Sequence, residues 1–312
     1  MRKVFAIILN WNRKKDTIEC LKSVQNLATN NFQLEIVVVD NGSSDGSIEA
    51  VEKYKQSLRQ GLKSKFKFNI IENKKNLGFA EGNNVGMKYA LKQGTDYILV
   101  LNNDTELHKN LLTELMKAAE KKKDGGAFSP KIYFAKGYEY HKDRYKKSEL
   151  GRVIWAAGGE VDWENVYGEN RGVDEVDSGQ YNKLAKVDFS SGACVLYRAK
   201  ALRRVGLFDE RYFAYYEDTE LSVRMARRGW KNYYVPSAVL WHKVSQSSSI
   251  GSNLNDYFIT RNRLLFGMKY ARYRTKVALF REAVRFFVKG RIWQRTGVLD
   301  YMTGNLYKGS WK

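Results

Sequence analysis

Three short polar clusters in this chain each follow an apolar run: Asn10-Trp11-Asn12, Asp40-Asn41-Gly42-Ser43-Ser44-Asp45-Gly46 and Asn102-Asn103-Asp104. Asn, Asp, Gly and Ser form turns and cap helices, and that reading accounts for any one cluster alone. Three clusters at equivalent edges of one sheet point further, because open parallel sheets bind ligands outside the carboxyl ends of their strands. Glu217-Asp218 sits where a helix should start. Acids suit that position through the helix dipole, but a carboxylate is also the economical base for taking a proton from an attacking hydroxyl. His242, after Trp241, reads either as a packed histidine or as an imidazole ligand. Cys20 and Cys194 are too few for a disulfide framework or a cysteine-rich zinc site, which makes a reduced compartment the default. No Gly-x-Gly-x-x-Gly follows the first apolar run and no Gly-x-x-x-x-Gly-Lys-Ser/Thr occurs, against a dinucleotide dehydrogenase or a P-loop nucleotidase.

The elements that must position these residues alternate in period. Val4–Leu9, Ile36–Val39 and Tyr97–Leu101 are runs of the kind found in strands buried on both faces. Helical spacings lie between them, at Ile18, Leu21 and Val24, at Ile48, Val51 and Tyr54, and at Val85 and Tyr89. This order predicts an α/β fold with a parallel sheet and crossover helices. The polar clusters then follow the first, second and fourth strands. From Phe134 to Lys186 the spacing predicts an irregular insertion with a hairpin, and long loops of this sort are often functional. Val187–Tyr197 and Lys231–Val235 read as strands, and Ala199–Val205 and Glu217–Arg228 as helices, each ending at a glycine. After Asn255 the pattern is helical to Lys289.

The 312 residues, 43% of them apolar, suffice for one large core or two modest ones. Apolar runs stay far below the roughly 20 residues of a membrane span. Met1-Arg2-Lys3 before Val4–Leu9 has the look of a stunted signal peptide, but no small-residue cleavage site follows, so a buried first strand is expected. The net charge is +20, and from Asn255 onward thirteen Lys or Arg stand against three acids. Such a block calls for an anionic partner: nucleic acid, an acidic lipid surface or a phosphorylated substrate. Within it Val277, Phe280, Val284, Phe287 and Val288 fall on one helical face beside Lys276, Arg281, Arg285 and Lys289. That pattern fits an anionic membrane surface, or equally a helix packed on the rest of the chain or on a second subunit. The basic excess is segregated at the end while the sheet-edge clusters are acidic or neutral, which weighs against a nucleic-acid-binding protein.

Seven stretches in order carry a family resemblance: Ile8–Asn12, Val38–Ser47, Asn76–Gly86, Leu101–Thr105, Ser191–Cys194, Tyr216–Leu221 and Trp241–Lys243. The chain resembles the inverting glycosyltransferases of family 2, of GT-A fold, over about residues 4 to 270. Within them it is most similar to bacterial rhamnosyltransferase-like enzymes that build surface polysaccharides. The resemblance implies a GT-A-like, Rossmann-type nucleotide-binding sheet over 1–130, a mixed acceptor-side half over 131–250 and a basic helical region over 251–312. It also implies a nucleotide-sugar donor, a divalent cation (Mg²⁺ or Mn²⁺), a glycan or lipid-linked acceptor hydroxyl, and a cytoplasmic place on the inner face of the cell membrane.

By the same resemblance Asp218 is the catalytic base, with Glu217 positioning or polarising. An inverting single displacement needs one carboxylate and no covalent nucleophile. Asn102-Asn103-Asp104 stands at the family's Asp-x-Asp position, which makes Asp104 the metal ligand, completed by His242, and leaves Asn102 to touch sugar or ribose. Asn102 in place of an acid lowers the charge there and raises the alternative of a weakened pseudoenzyme. Base and ribose recognition falls to Asn10, Asn12, Asp40 and Asn41. An Asp40 carboxylate accepts the N3–H of uracil or thymine but repels cytosine N3, which favours a UDP- or dTDP-sugar. Asn76 and Gly78 lie where a glycine turn enters a helix, so backbone N–H groups there are expected to meet the diphosphate. Ser191, Gly192 and Ala193 resemble the acceptor-side segment. One consequence is geometric: Asp40, Asp104 and Asp218 should converge on a single pocket at one rim of the sheet.

Overall fold

The computed structural model describes residues 1–29, 31–60, 66–244 and 252–311. The first half alternates as expected: β1 (Arg2–Asn10), α1 (Lys14–Gln25), β2 (Phe32–Asp40), α2 (Ser47–Gln60), β3 (Lys67–Glu72), α3 (Gly78–Lys92) and β4 (Tyr97–Asn102). Strands β4, β1, β2 and β3 lie side by side and parallel. Their apolar runs are continuous because both faces are covered. Val4, Ala6, Ile8, Ile36, Val38, Leu99 and Leu101 pack into one cluster with α1 and α4 (Leu111–Lys121). The alternate residues Phe5, Ile7, Val37, Val39, Ile98 and Val100 pack into a second with α3, α5 (Ala199–Val205) and α6 (Glu217–Arg227). Period-two alternation places neighbouring side chains in opposite cores, so polar residues gather where the strands end, and buried Glu35 within β2 is met by Lys3.

The second half adds the strands that make the sheet mixed. These are β5 (Thr105–Leu107), β6 (Gly125–Phe134), β7 (Ile154–Ala156), β10 (Ala185–Val187), β11 (Cys194–Arg198) and β12 (Lys231–His242), while β8 (Gly159–Asp162) and β9 (Tyr167–Asn170) form a separate two-stranded sheet. β11 runs antiparallel between β4 and β6, and β12 lies parallel to β6. β8 and β9 form the hairpin expected in the insertion.

Two strands depart from the sequence reading. Val187–Tyr197 is not one strand but β10 and β11, interrupted by a turn in which the Ala193 N–H meets Ser191 Oγ and the Cys194 N–H meets the Ser191 carbonyl. The strand starting at Lys231 does not stop near Val235. Its register shifts between Val235 and Val239, across Pro236, which has no N–H for the ladder, and pairing then resumes to His242.

Then follow α7 (Asn253–Tyr270), α8 (Tyr273–Lys289) and α9 (Ile292–Thr303), the last lying beyond Lys289, where the residue spacing ceased to read as helical. The boundary expected at 250/251 falls outside the described residues. Among the described residues no helix is long and apolar enough to cross a membrane. Cys20 and Cys194 are both buried and unbridged.

Candidate active site

The carboxyl ends of β1, β2 and β4 are level, with Asn10 opposite Asp40 and Leu9 opposite Asn102. The polar clusters therefore do share one sheet edge. Most of their side chains, however, are engaged with one another. Asn10 Nδ2 donates to Asp40 Oδ1 (2.7 Å) and Ser43 Oγ (3.1 Å), and Asn10 Oδ1 accepts from Thr17 (2.7 Å) and Asn103 Nδ2 (3.2 Å). The other Asp40 oxygen accepts the Ser43 N–H at 2.8 Å, and Asp40 is only 2% exposed. Asn12, with φ 51°, accepts the Ser44 N–H. Asn41 donates to Asn76 Oδ1 and the Gly78 carbonyl and accepts from Asn73 and the Leu77 N–H.

The expectation for Asn76 and Gly78 is corrected. Gly78 N–H donates to Asn76 Oδ1, and the N–H groups of Phe79 and Ala80 both donate to the Phe213 carbonyl (2.6 and 3.1 Å). With Leu77 held by Asn41, the amides at the start of α3 all have partners inside the protein, so they are not a vacant anion cradle. Gly78 is required for another reason. Its φ is +77°, and a Cβ there would stand 2.5 Å from the Phe213 ring.

The short pairing of β5 with β12 sets Thr105 opposite His242 and brings the preceding Asp104 to the imidazole. Asp104 Oδ1 lies 3.0 Å from His242 Nε2. Both Asp104 Oδ1 and His242 Nδ1 are buried without a hydrogen-bond partner. Trp155 stands edge-on to the imidazole at 4.7 Å between ring centres. Two adjacent ligands of an octahedral ion with bonds of about 2.1 Å lie about 3 Å apart, so an oxygen and a nitrogen donor at this spacing fit a Mg²⁺- or Mn²⁺-like ion. Among the described residues no cluster of three His, Cys, Asp or Glu is available, so the other ligands of such an ion would be of other kinds, such as amide or backbone oxygens, water or phosphate.

Glu217 and Asp218 open α6 immediately after three residues in the left-handed region, Phe213 (φ 60°), Tyr215 (67°) and Tyr216 (72°). Their environments differ. Asp218 is half-buried; its Oδ2 accepts the Gly192 N–H (2.8 Å) and its Oδ1 accepts the Thr219 N–H (2.6 Å) and hydroxyl (3.2 Å). Burial raises its carboxyl above the usual aspartate value, against the pull of these donors. Glu217 is 6% exposed and its Oε2 has no partner. Burial first, and the neighbouring Asp218 charge second, push its carboxyl well above the ordinary glutamate range, which favours the neutral acid. Of the two carboxyls, Asp218 is the one whose anion is met by several N–H and O–H donors. Arg224 forks onto fully buried Glu220 and reaches the carbonyls of Val205 and Leu207.

Asn102, Asp104, Ser191, Gly192, Ala193, Glu217, Asp218 and His242 line one cavity of about 560 Å³. Asp40 does not line it. The expected meeting of three carboxylates is thus realised by Asp104 and Asp218, while Asp40 sits on the same rim two strands away. Asn103 also turns away, towards Thr17 and Asn10. Sequence reasoning missed the aromatic wall, Phe79, Tyr140, Trp155, Tyr167, Phe189 and Tyr216. The aromatic density of the insertion was the available signal, but nothing in it said which rings would face inward.

Known proteins match this chain in sequence and in fold. The profile described as Glycosyl transferase family 2 matches residues 5–206. The chain belongs to that family. This glycosyltransferase is 29% identical over 227 residues to an N-acetylglucosaminyl-diphospho-decaprenol L-rhamnosyltransferase of Mycobacterium tuberculosis, covering 69% of this chain and 68% of that one. It is 24% identical over 273 residues to a dTDP-rhamnosyl transferase of Shigella flexneri, covering 84% and 79%. In fold it is similar to a mannosyltransferase of Pyrobaculum calidifontis solved with GDP-Man and Mn²⁺, with TM-score 0.54, 16% identity, and 96% and 74% of the two chains covered. The mixed α/β sheet of the glycosyltransferase is accordingly of GT-A type, and its curated relatives include rhamnosyltransferases.

Proposed function

We propose that this glycosyltransferase moves rhamnose or another hexose from a dTDP- or UDP-sugar to a hydroxyl of a lipid-linked or growing surface polysaccharide, with inversion. The observation that carries the reading is that Asp218 faces the same cavity as the Asp104–His242 pair. The acceptor oxygen gives its proton to Asp218 as it attacks the anomeric carbon. The bond to the diphosphate breaks, and the nucleoside diphosphate leaves on the opposite face. One displacement with one base inverts the configuration. Neutral Glu217 offers an O–H donor beside the reacting centre. Asp104 and His242 would hold the divalent cation, which supplies positive charge to the departing diphosphate. The aromatic wall excludes water and offers ring faces to the sugar. The nucleoside would lie over Asn10, Asn12, Asp40 and Asn41. There Asp40 has lone pairs beyond those taken by Asn10 and Ser43, enough to accept a uracil or thymine N3–H.

In a panel of nucleotide sugars with Mn²⁺, UDP- or dTDP-sugars should raise the melting temperature by mass action. With acceptor they should also release free UDP or dTDP. A panel in which no such donor does either would end this reading, and donor binding without turnover would favour the pseudoenzyme alternative raised by Asn102.

The peripheral site on the inner membrane face belongs to the same proposal. On α8 only Leu279 and Ala283 are fully buried, whereas Phe280, Val284, Phe287 and Val288 are about half exposed and continue to Ile292, 73% exposed. Arg272, Arg274, Arg281, Arg285, Lys289 and Arg295 are exposed around them. The acids of this region are occupied: Asp256 with Arg291, Glu282 with Arg263, and Asp300 with Tyr257 and Ser310. Cations interleaved with aliphatic and aromatic side chains suit headgroups and acyl chains better than a phosphate backbone alone. Each Lys or Arg near an anionic leaflet contributes about 1 kcal/mol. The double variant Arg281→Glu/Arg285→Glu should therefore lose at least about tenfold in affinity for phosphatidylserine vesicles. Unchanged vesicle binding would remove this face from membrane contact.

A further inference from the structure

We infer that Arg261 and Asn262 of α7, closed over by residues 304–311, are positioning residues that hold the turn carrying Glu217 and Asp218 in its working shape. The inference rests on Asp218 as the base, but the geometry comes from a part of the chain whose sequence spoke only of positive charge.

The turn from Phe213 to Tyr216 contains three non-glycine residues with φ between 60° and 72°. Such backbone persists only where its surroundings over-determine it. Asn262 Nδ2 faces three carbonyls of this turn, Tyr212 (2.9 Å), Ala214 (2.7 Å) and Tyr215 (2.8 Å). Arg261 Nη2 reaches the carbonyls of Arg211 (3.2 Å) and Tyr212 (3.1 Å), and its Nε meets Asn262 Oδ1 (3.0 Å). Both side chains are wholly buried. Among the described residues Arg261 forms no ion pair with a carboxylate. Its guanidinium is met by carbonyls and the Tyr257 hydroxyl, and lies over the rings of Tyr257 and Phe258. A buried guanidinium with no direct ion pair, and only the Asp300 charge beyond the Tyr257 hydroxyl, is unfavourable for packing alone. What a guanidinium provides is a rigid fork of donors matched to several fixed carbonyls.

The tail completes the arrangement. Tyr307 donates its N–H to the Arg211 carbonyl (2.9 Å) and accepts Arg261 Nη1 on its own (2.7 Å). Gly309 passes so close that a Cβ would stand 2.0 Å from the Tyr257 hydroxyl and 2.9 Å from Arg261 Nη1. Trp311 stacks on Tyr257, and Asp300 takes the Ser310 N–H and hydroxyl. On its far side the same turn caps α3 through the Phe213 carbonyl. The turn is thus held from both sides, and displacing it would move the base. Neither Arg261 nor Asn262 lines the cavity, so they act through the turn and not on substrate.

Asn262→Asp keeps the side-chain volume but puts oxygen against the carbonyls. A chain ending at residue 304 removes the tail. Both should lower kcat by about 10- to 100-fold, the scale expected when a reacting group is misplaced by about 1 Å, with donor KM changed less than about threefold. The acid limb of the pH profile should move, because the hydrogen bonds of Asp218 shift with the turn. Amide hydrogen exchange should quicken over 212–220 and not in α1. If Asn262→Asp does not fold, Arg261→Lys, which keeps charge and stem but loses the fork, should show the same split at smaller scale. Unchanged exchange over 212–220 would overturn the inference, as would parallel loss of donor binding and kcat. Failure of the base assignment is read separately, as undiminished turnover by Asp218→Asn, and leaves the exchange result standing.

Discussion

Asp218→Asn is expected to lower kcat by about 10²- to 10⁴-fold while the dissociation constant for the nucleotide sugar changes by less than about threefold. The amide has the size of the carboxylate and keeps one acceptor for Gly192 or Thr219, so the turn should survive; what it loses is the ability to take a proton. Glu217 is a poor substitute, because burial and the Asp218 charge hold it neutral against a single backbone hydrogen bond, and its Oε2 has no partner. The wild-type pH dependence follows from the direction of the Asp218 shift. The base works only when ionised, and burial raises its carboxyl above the usual aspartate value. Activity should therefore fall as pH drops through that raised value, with the acid limb above where an exposed aspartate would place it. A profile flat down to the ordinary aspartate range, or an Asn variant with wild-type turnover, would take Asp218 out of the chemistry.

Asp104→Ala is expected to lower turnover by about 10²- to 10³-fold, as removal of preorganised charge stabilisation does elsewhere. The distinguishing feature is the axis along which it fails. Asp104 offers the buried, unpartnered oxygen 3.0 Å from His242 Nε2. Without it one imidazole remains, and the Mn²⁺ concentration giving half-maximal UDP binding should rise by at least about tenfold. Calorimetry of UDP binding with and without Mn²⁺ measures this independently of catalysis. The acid limb of any residual activity should stay where it was. An Asp104→Ala protein with unaltered Mn²⁺-dependent UDP binding would relocate the cation.

The strands and their polar ends were legible in the sequence for a simple reason. Val4–Leu9 and Ile36–Val39 are apolar at every position because alternate residues enter opposite cores, and the first polar residue marks the rim. Asp104, Asp218 and Ser191–Ala193 meet as expected. Less was legible where a strand passes a proline. The bulge at Pro236 hid the continuation to His242, and with it the pairing with Thr105 that seats the imidazole beside Asp104. The Val277–Val288 stripe was visible, but only the folded chain reveals that most of it faces outward, with Leu279 and Ala283 supplying the inner contact.

Sequence alone determined the parallel strands β1, β2 and β4, their order along the chain and the motifs that mark the family, since these depend on residue type and short spacing. Tertiary structure decided which polar side chains face the cavity and which are turned on each other. Asn10, Asn41 and Asn103 each bond to side chains across the rim, Asn103 reaching Asn10 from 93 residues away. Asn262, unremarkable in a basic helix, holds a turn 50 residues earlier. A polar group must be satisfied by whatever the fold brings within 3 Å, and that neighbour is set by packing between distant segments rather than by the residues beside it in the chain.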